Sequence, residues 1–305
     1  MSPDSAAMQK CLRNRSHFLR RLRRPHEKCE LARELRESRS TIDRAVRELE
    51  SAGFVDRTED GYRTTLAGKL ALEDRERHAA RLDGIARFRE ALAGLAPDAP
   101  LDAALFEDAE VSLPESYSPH EPVETLASFL AEASHVRLFA SAVVSRYVDL
   151  YRERVEAGMT ADLVFAEEVF EWLLARRKED VSALLGTSGV SVSRTPLDRS
   201  FSLVLIDRAD RGECADPADS ADSAARGTRT TSAADAGSVD PASAADRSDR
   251  AVGVMLYDDG SILGFVRTDS REAVAWADDL FERVASEAAR VGRSPDARDG
   301  GVAES

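Results

Sequence analysis

Cysteine is scarce. The three in 305 residues (Cys11, Cys29, Cys214) are widely and irregularly spaced, which excludes a disulfide framework and a zinc motif and leaves free thiols. Lysine is scarcer still for a chain with 42 basic residues: 4 Lys against 38 Arg. No window approaches the roughly 18 consecutive apolar residues of a membrane span. The opening MSPDSAAMQKCLRNRS is too polar for a secretory signal, so the expectation is a cytoplasmic protein with no membrane partner. With 43% hydrophobic residues, 17 Gly and 11 Pro, collagen, a coiled-coil rod and a wholly disordered chain are excluded. The length suits two ordinary domains.

Acid is plentiful: 56 Asp and Glu leave a formal charge of −14. Together with the Arg-for-Lys bias and abundant Ala, this composition resembles that of a GC-rich, salt-adapted, halophilic organism. Net negative charge bears on solubility before it bears on partners. Its division along the chain is more telling. Residues 10–63 hold 15 Lys and Arg against 10 Asp and Glu, a local +5 that leaves −19 for the rest. Such asymmetry points to a nucleic-acid-facing piece joined to an acidic body; a cluster of solvated Arg is the plainer alternative.

Hydrophobic spacing sharpens the N-terminal piece. Phe18, Leu19 and Leu22 mark a helix over about 15–23 that stops before Pro25, and Leu31, Ala32 and Leu35 mark a second. After a break at Glu37-Ser38, Ser38 is a good N-cap. The next helix places Ile42, Ala45, Val46 and Leu49 at i, i+3, i+4, i+7 and ends at Gly53. Its other face carries Arg39, Ser40, Thr41, Asp43, Arg44 and Arg47. Two strand-like pieces around Asp60-Gly61 then form a hairpin.

The segment ELARELRESRSTIDRAVRELESAGFVDRTEDGYRTTLAGKLAL resembles the winged helix-turn-helix of archaeal and bacterial transcriptional regulators. The resemblance implies double-stranded DNA as partner, with the 38–52 helix in the major groove. Arg39, Arg44 and Arg47 are then the candidate readers, because Arg engages guanine O6 and N7 with two hydrogen bonds, and Ser40 and Thr41 can bind phosphate or base. Arg57 and Arg63 fall on the wing, beside backbone or minor groove. The sequence does not separate base readers from phosphate clamps. The alternative is a winged helix that recruits transcription factors without reading bases.

A linking helix is expected over 66–100, with apolar residues at Leu82, Ile85, Phe88 and Leu92. It is either an ordinary core helix or the contact of a homodimer, which a two-fold DNA site requires. Gly68-Lys69 is no phosphate loop, because the first glycine of G-x-x-x-x-G-K is replaced by Arg63 and Leu70 follows the lysine. The expected divisions are therefore a winged helix-turn-helix over 1–65, the linker over 66–100 and an α/β body over 101–207 and 251–292. An insertion over 208–250 and a tail over 293–305 are expected to be disordered. In the insertion, which holds Cys214, Val239 is the one residue among Val, Ile, Leu, Met and the aromatics.

In the body, strands are expected at 109–113, 136–140, 161–165, 190–193, 201–207, 252–257 and 261–266, with helices at 123–133, 145–157, 167–185 and 270–291. Strands alternating with helices predict a mainly parallel sheet, and the last three strands, lacking helices between them, predict an antiparallel edge. The stretches Ala109-Glu-Val, Pro119-His-Glu-Pro122, Phe201-Ser-Leu-Val-Leu-Ile-Asp207, Leu263-Gly-Phe-Val and Glu272-Ala-Val-Ala-Trp-Ala277 resemble the C-terminal sensor domain of archaeal, commonly haloarchaeal, regulators of the methanogenesis regulatory protein type. These are mostly core positions and support family more than mechanism. A small-molecule effector would bind at the carboxyl ends of the parallel strands, which singles out Ser141, Arg146, Tyr147 and Glu167; helix caps and surface charges explain each equally well. No metalloprotease, deaminase, nucleophile-elbow or dinucleotide motif occurs. No enzyme activity, cofactor or metal is therefore expected.

Overall fold

The computed structural model describes residues 3–197, 199–208, 249–258 and 260–291. The chain divides into two compact units, Met1–Asp83 and Gly84–Ser305. The boundary falls within one long helix rather than at its start.

The first unit opens with α1 (Pro3–Arg21), α2 (Lys28–Leu35) and α3 (Arg39–Ser51). Strands β1 (Val55–Thr58) and β2 (Gly61–Thr64) follow, and then α4 (Leu66–Leu92), whose residues up to Asp83 belong here. The spacing read from the sequence is the spacing of burial. Ile42, Ala45, Val46 and Leu49 of α3 are buried with Phe18, Leu19, Leu22 and Leu31, and Phe54, Val55 and Leu72 close this small core. Helix α1 begins well before residue 15, where the apolar pattern starts, because its first turns are polar and give no periodic signal. The hairpin β1–β2 pairs Thr58 with Gly61, so Glu59-Asp60 is the two-residue turn. Gly61 has φ 117° and passes so close to the His26 carbonyl that a Cβ would sit 2.4 Å from its oxygen. That approach lets His26 and Tyr62 exchange backbone hydrogen bonds of 3.1 and 2.9 Å, which fastens the hairpin to the segment before α2. Gly68, at the first turn of α4, has a like role: a Cβ would meet the Phe54 carbonyl oxygen at 2.2 Å.

The second unit is a sheet covered on both faces. In chain order its elements are a 3-10 turn (Ala103–Phe106), β3 (Glu110–Ser112), α5 (Glu121–Ala131), β4 (Ala133–Ala140) and α6 (Ser145–Glu156). Then come β5 (Thr160–Ala166), α7 (Glu167–Arg176), α8 (Lys178–Gly186), β6 (Val190–Thr195), β7 (Phe201–Arg208), β8 (Arg250–Asp258), β9 (Ser261–Thr268), α9 (Arg271–Ser286) and β10 (Ala289–Arg290). The strand order is β10-β6-β5-β4-β7-β8-β9-β3.

The sheet is mixed, not mainly parallel. Only β4–β5 and β5–β6 run parallel among the described strands, while β4–β7, β7–β8, β8–β9, β3–β9 and β10–β6 are antiparallel. Connection length explains this: a parallel neighbour needs a crossover of a dozen or more residues, and the link from Thr195 to Phe201 is too short for one. Strand β7 therefore returns antiparallel beside β4. The helix expected to run to 291 ends at Ser286, and Ala289–Arg290 turns back to pair with Ser193 and Arg194.

Alternation along the strands divides the core. Leu138, Leu163, Val192, Val204 and Met255 face α5 to α8, whereas Phe139, Val164, Leu203, Leu205 and Val254 face α9 and the 3-10 turn. The insertion leaves the sheet at a paired base, with Asp207 opposite Arg250 and Arg208 N donating to Asp249 O at 2.8 Å. Residues 209–248, including Cys214, and 292–305 lie outside the described residues, so the expectations of disorder there are not addressed. Cys11 and Cys29 are free thiols.

Candidate nucleic-acid interface and body cavity

Helix α3 starts where its sequence says it should. Ser38 is extended (φ −68°, ψ 150°), and its hydroxyl accepts from Thr41 N at 3.2 Å. The same hydroxyl is 2.9 Å from both Ser40 Oγ and Thr41 Oγ1. Ser40 and Thr41 thus belong to the cap cluster at the helix N-terminus, Ser40 exposed and Thr41 half-buried. The turn before them is tight: Arg36 closes α2 in the left-handed region at φ 53°.

Arg39, Arg44 and Arg47 are all exposed, as are Arg57 and Arg63 on the hairpin. Arg47 Nε donates to the Asp43 carbonyl at 3.1 Å, which lays its guanidinium along the helix. The side chains of Arg39, Arg44, Arg57 and Arg63 make no hydrogen bond or ion pair with other described residues. The acidic side chains on α3 are differently placed. Asp43 accepts from Lys28 Nζ at 2.9 Å, and Glu48 accepts from Arg15 Nε at 2.8 Å. Their cationic partners hold both carboxyls below the usual carboxylate range. Lys28 and Arg15, which the sequence reading did not single out, therefore neutralise two of the three acids of this helix, and Glu50 is the one acid of α3 without an ion pair among the described residues. Lys28 also stands 5.1 Å over the Tyr62 ring.

The four effector candidates of the body do not converge. Arg146 is exposed at the start of α6. Glu167, at the start of α7, accepts from Arg194 Nη1 at 3.1 Å. Ser141 serves the fold, its hydroxyl donating to Phe201 O at 2.7 Å and its amide to Ser202 Oγ at 3.2 Å. Tyr147 alone of the four lines a cavity, of about 60 Å³, between the sheet and α5 to α8. Its walls are hydrocarbon from Leu138, Leu163, Phe165, Val181 and Met255, with Tyr151 and Tyr257 beside Tyr147. The i, i+4 spacing of Tyr147 and Tyr151 on α6 was the available signal, but on a helix it reads equally as packing.

His-x-Lys, the spacing of a phosphate-attacking pair in phospholipase-like folds, occurs at His26 and Lys28. Both lie in the first unit, where Lys28 is committed to Asp43.

Comparison with known proteins divides the chain as its fold does. Residues 4–87 match the family model described as HVO_A0261 N-terminal domain. Residues 119–213 match the model described as methanogenesis regulatory protein FilR1, middle domain. Each of these two stretches is thus matched by a different family model, and each covers less than half of the chain. The second match begins just ahead of α5 and takes in α5 to α8 with β4 to β7, so it contains most of the cavity wall. No curated protein matches the chain.

Similar solved structures include TrmBL2, described as an archaeal chromatin protein with a novel mode of DNA binding, at 13% identity over 87% of this chain and 88% of that one, with a TM-score of 0.37. Nuc, a phospholipase D family member from Salmonella typhimurium, is 8% identical over 60% of this chain and 97% of its own, with a TM-score of 0.36. Polyphosphate kinase from Porphyromonas gingivalis is 14% identical over 66% and 31%, with a TM-score of 0.33. At such scores these likenesses bear on neither the chemistry nor the partners of this chain.

Proposed function

We propose that the protein is a DNA-binding transcriptional regulator whose α3 enters the major groove and whose second unit receives an effector or partner. The observation that carries this reading is the division of α3: four apolar residues buried on one side, three exposed Arg on the other, and two of its three acids, Asp43 and Glu48, paired with cations from other elements. The N-terminal residues of such a helix lie at base edges. Arg39, Arg44 and Arg47 are the readers, Ser40 and Thr41 contact phosphate or base, and Arg57 and Arg63 hold the backbone from the wing. The match to a domain of a regulatory protein supports the same reading.

The working form is a homodimer, as a two-fold site requires, and exposed Leu70 and Leu82 on α4 offer apolar surface for it. None of the described helices is long and apolar enough to cross a membrane, and we place the protein in the cytoplasm, where its DNA would be. It acts by binding and not by catalysis. Effector control requires that the effector prefer one of two states of the protein.

Genome-wide mapping of bound DNA in the source cell, followed by mobility shifts on the recovered sites, tests the reading. Sites that shift in preference to random DNA, with Arg44→Ala and Arg47→Ala each reducing the preference, support it. A failure of any site to shift above random DNA overturns it in favour of a winged helix that serves protein contact.

A further inference from the structure

The cavity of the second unit lies at one particular end of the sheet. Its lining takes Ala140, the last residue of β4, and Phe165 near the end of β5, with Ser202 near the start of β7 and Tyr257 near the end of β8. Strand β7 runs against β4, and β8 against β7, so all four positions mark the carboxyl end of the parallel strands. Ligands of open α/β sheets gather outside that end.

The polar side chains of the lining are engaged elsewhere. Ser202 Oγ accepts from the Ser141 amide at 3.2 Å. Asp180 is held by Arg177 at 2.7 Å and approached by Arg152 at 3.6 Å. Tyr257 directs its hydroxyl to Ser202 and Tyr147, and the hydroxyls of Tyr147 and Tyr151 are buried out of reach of the space. What the described lining offers is hydrocarbon, as from Leu138, Leu163 and Met255. A space of about 60 Å³ with such walls stays dry, because water there finds no hydrogen-bond partner, and it suits a nonpolar guest.

The way in is apolar too. Ala142 and Val143, between β4 and α6, and Val148 in the first turn of α6 all line the cavity. All three are half-exposed, so they border both the space and the solvent. With Val144 they make Ala142-Val143-Val144 an apolar run at the surface of a connection, where polar residues are the rule and an apolar run marks function.

We propose that this cavity binds a compact hydrocarbon group of about five carbons or fewer, with no polar atom inside the walls, admitted past Ala142, Val143 and Val148. The inference deepens the regulator reading by giving the chemical class of its effector, and the effector role rests on that reading. Occupancy of the cavity does not, and it is measured on the full chain without DNA.

The probe is cyclopentane, with cyclopentanol as its hydroxyl-bearing counterpart. The reporter is the ε-methyl NMR signal of Met255, which lines the cavity, with Met159, buried outside the lining, as reference. Cyclopentane should move Met255 saturably and leave Met159 in place. Cyclopentanol should bind about tenfold more weakly, since its hydroxyl is desolvated without a partner. Ala140→Leu, which drives a larger side chain into the space, should abolish the response, an unchanged Met159 signal showing that the variant folds. Val143→Asp, at the half-exposed mouth, should weaken cyclopentane severalfold. A Met255 signal that stays still up to the solubility of cyclopentane, cyclopentanol bound as tightly as cyclopentane, or an undiminished response in both variants would each overturn the proposal and leave the cavity a packing void. Absence of DNA binding with the Met255 response intact would sink the regulator reading alone.

Discussion

Lys28 Nζ lies 2.9 Å from Asp43 Oδ1, a bond from the first residue of α2 to the middle of α3. It withdraws one of the three acids of α3, the one that also feels Arg47, from the charge balance of the exposed face. Lys28→Ala should therefore weaken binding to any duplex severalfold at low salt, because an unpaired carboxylate then faces the phosphates. Asp43→Asn should do the reverse. Fluorescence anisotropy with random DNA across a salt series measures both, and effects of the same sign in the two variants would refute the arrangement.

Base reading and backbone holding are separable by their sequence dependence. Arg44→Ala or Arg47→Ala should reduce discrimination by roughly 1 to 3 kcal/mol per base pair read. Arg57→Ala and Arg63→Ala should weaken specific and random DNA alike and flatten the salt dependence by about one ion each. Near 1 M salt the screening length is only about 3 Å, so the discrimination conferred by Arg44 and Arg47 should persist there. Competition binding at two salt concentrations distinguishes the classes.

Gly61→Ala should destabilise the first unit by roughly 1 to 3 kcal/mol, since it combines a left-handed backbone with a Cβ pressed against the His26 carbonyl. Thermal unfolding measures it. Gly53→Ala, also at positive φ but with open space around the Cβ, should be milder.

The ion pair of Arg15 with Glu48 gives a pH dependence of known sign. Glu48 titrates below its ordinary value because the guanidinium holds it charged. The pair's contribution is thus fully present above the ordinary carboxylate range and is lost as pH falls through the lowered folded value. Half-exposed pairs of this kind contribute about 0.5 kcal/mol. The difference in melting temperature between the protein and Glu48→Gln should therefore be small at pH 7 and vanish toward pH 3; a difference constant over that range would contradict the assignment.

Without ligand, Tyr147→Phe and Tyr151→Phe should leave stability unchanged or raise it by up to about 1 kcal/mol, because each removes a buried hydroxyl that no residue satisfies. Chemical denaturation measures this. A loss above 1 kcal/mol in both would show that the hydroxyls are bonded in solution.

Local pattern alone determined the helices, the hairpin and most strands of this chain. An apolar residue every third or fourth position, as in Ile42 to Leu49, or every second, as in Leu203 and Leu205, reports the face that must leave water, and Ser38 reports where a helix begins. Strand direction and neighbours were decided elsewhere: β7 reads identically as a parallel or an antiparallel strand, and only the short link from Thr195, closing beside β4, selects one. Strand β10 is two residues long and leaves no period to detect. The same holds for the sites. Arg39, Arg44 and Arg47 were legible because one helix carries them all, whereas the pairing of Lys28 with Asp43 and the gathering of Tyr147, Tyr151 and Tyr257 around one cavity join residues far apart in the chain, and a periodicity contains no information about what lies opposite it.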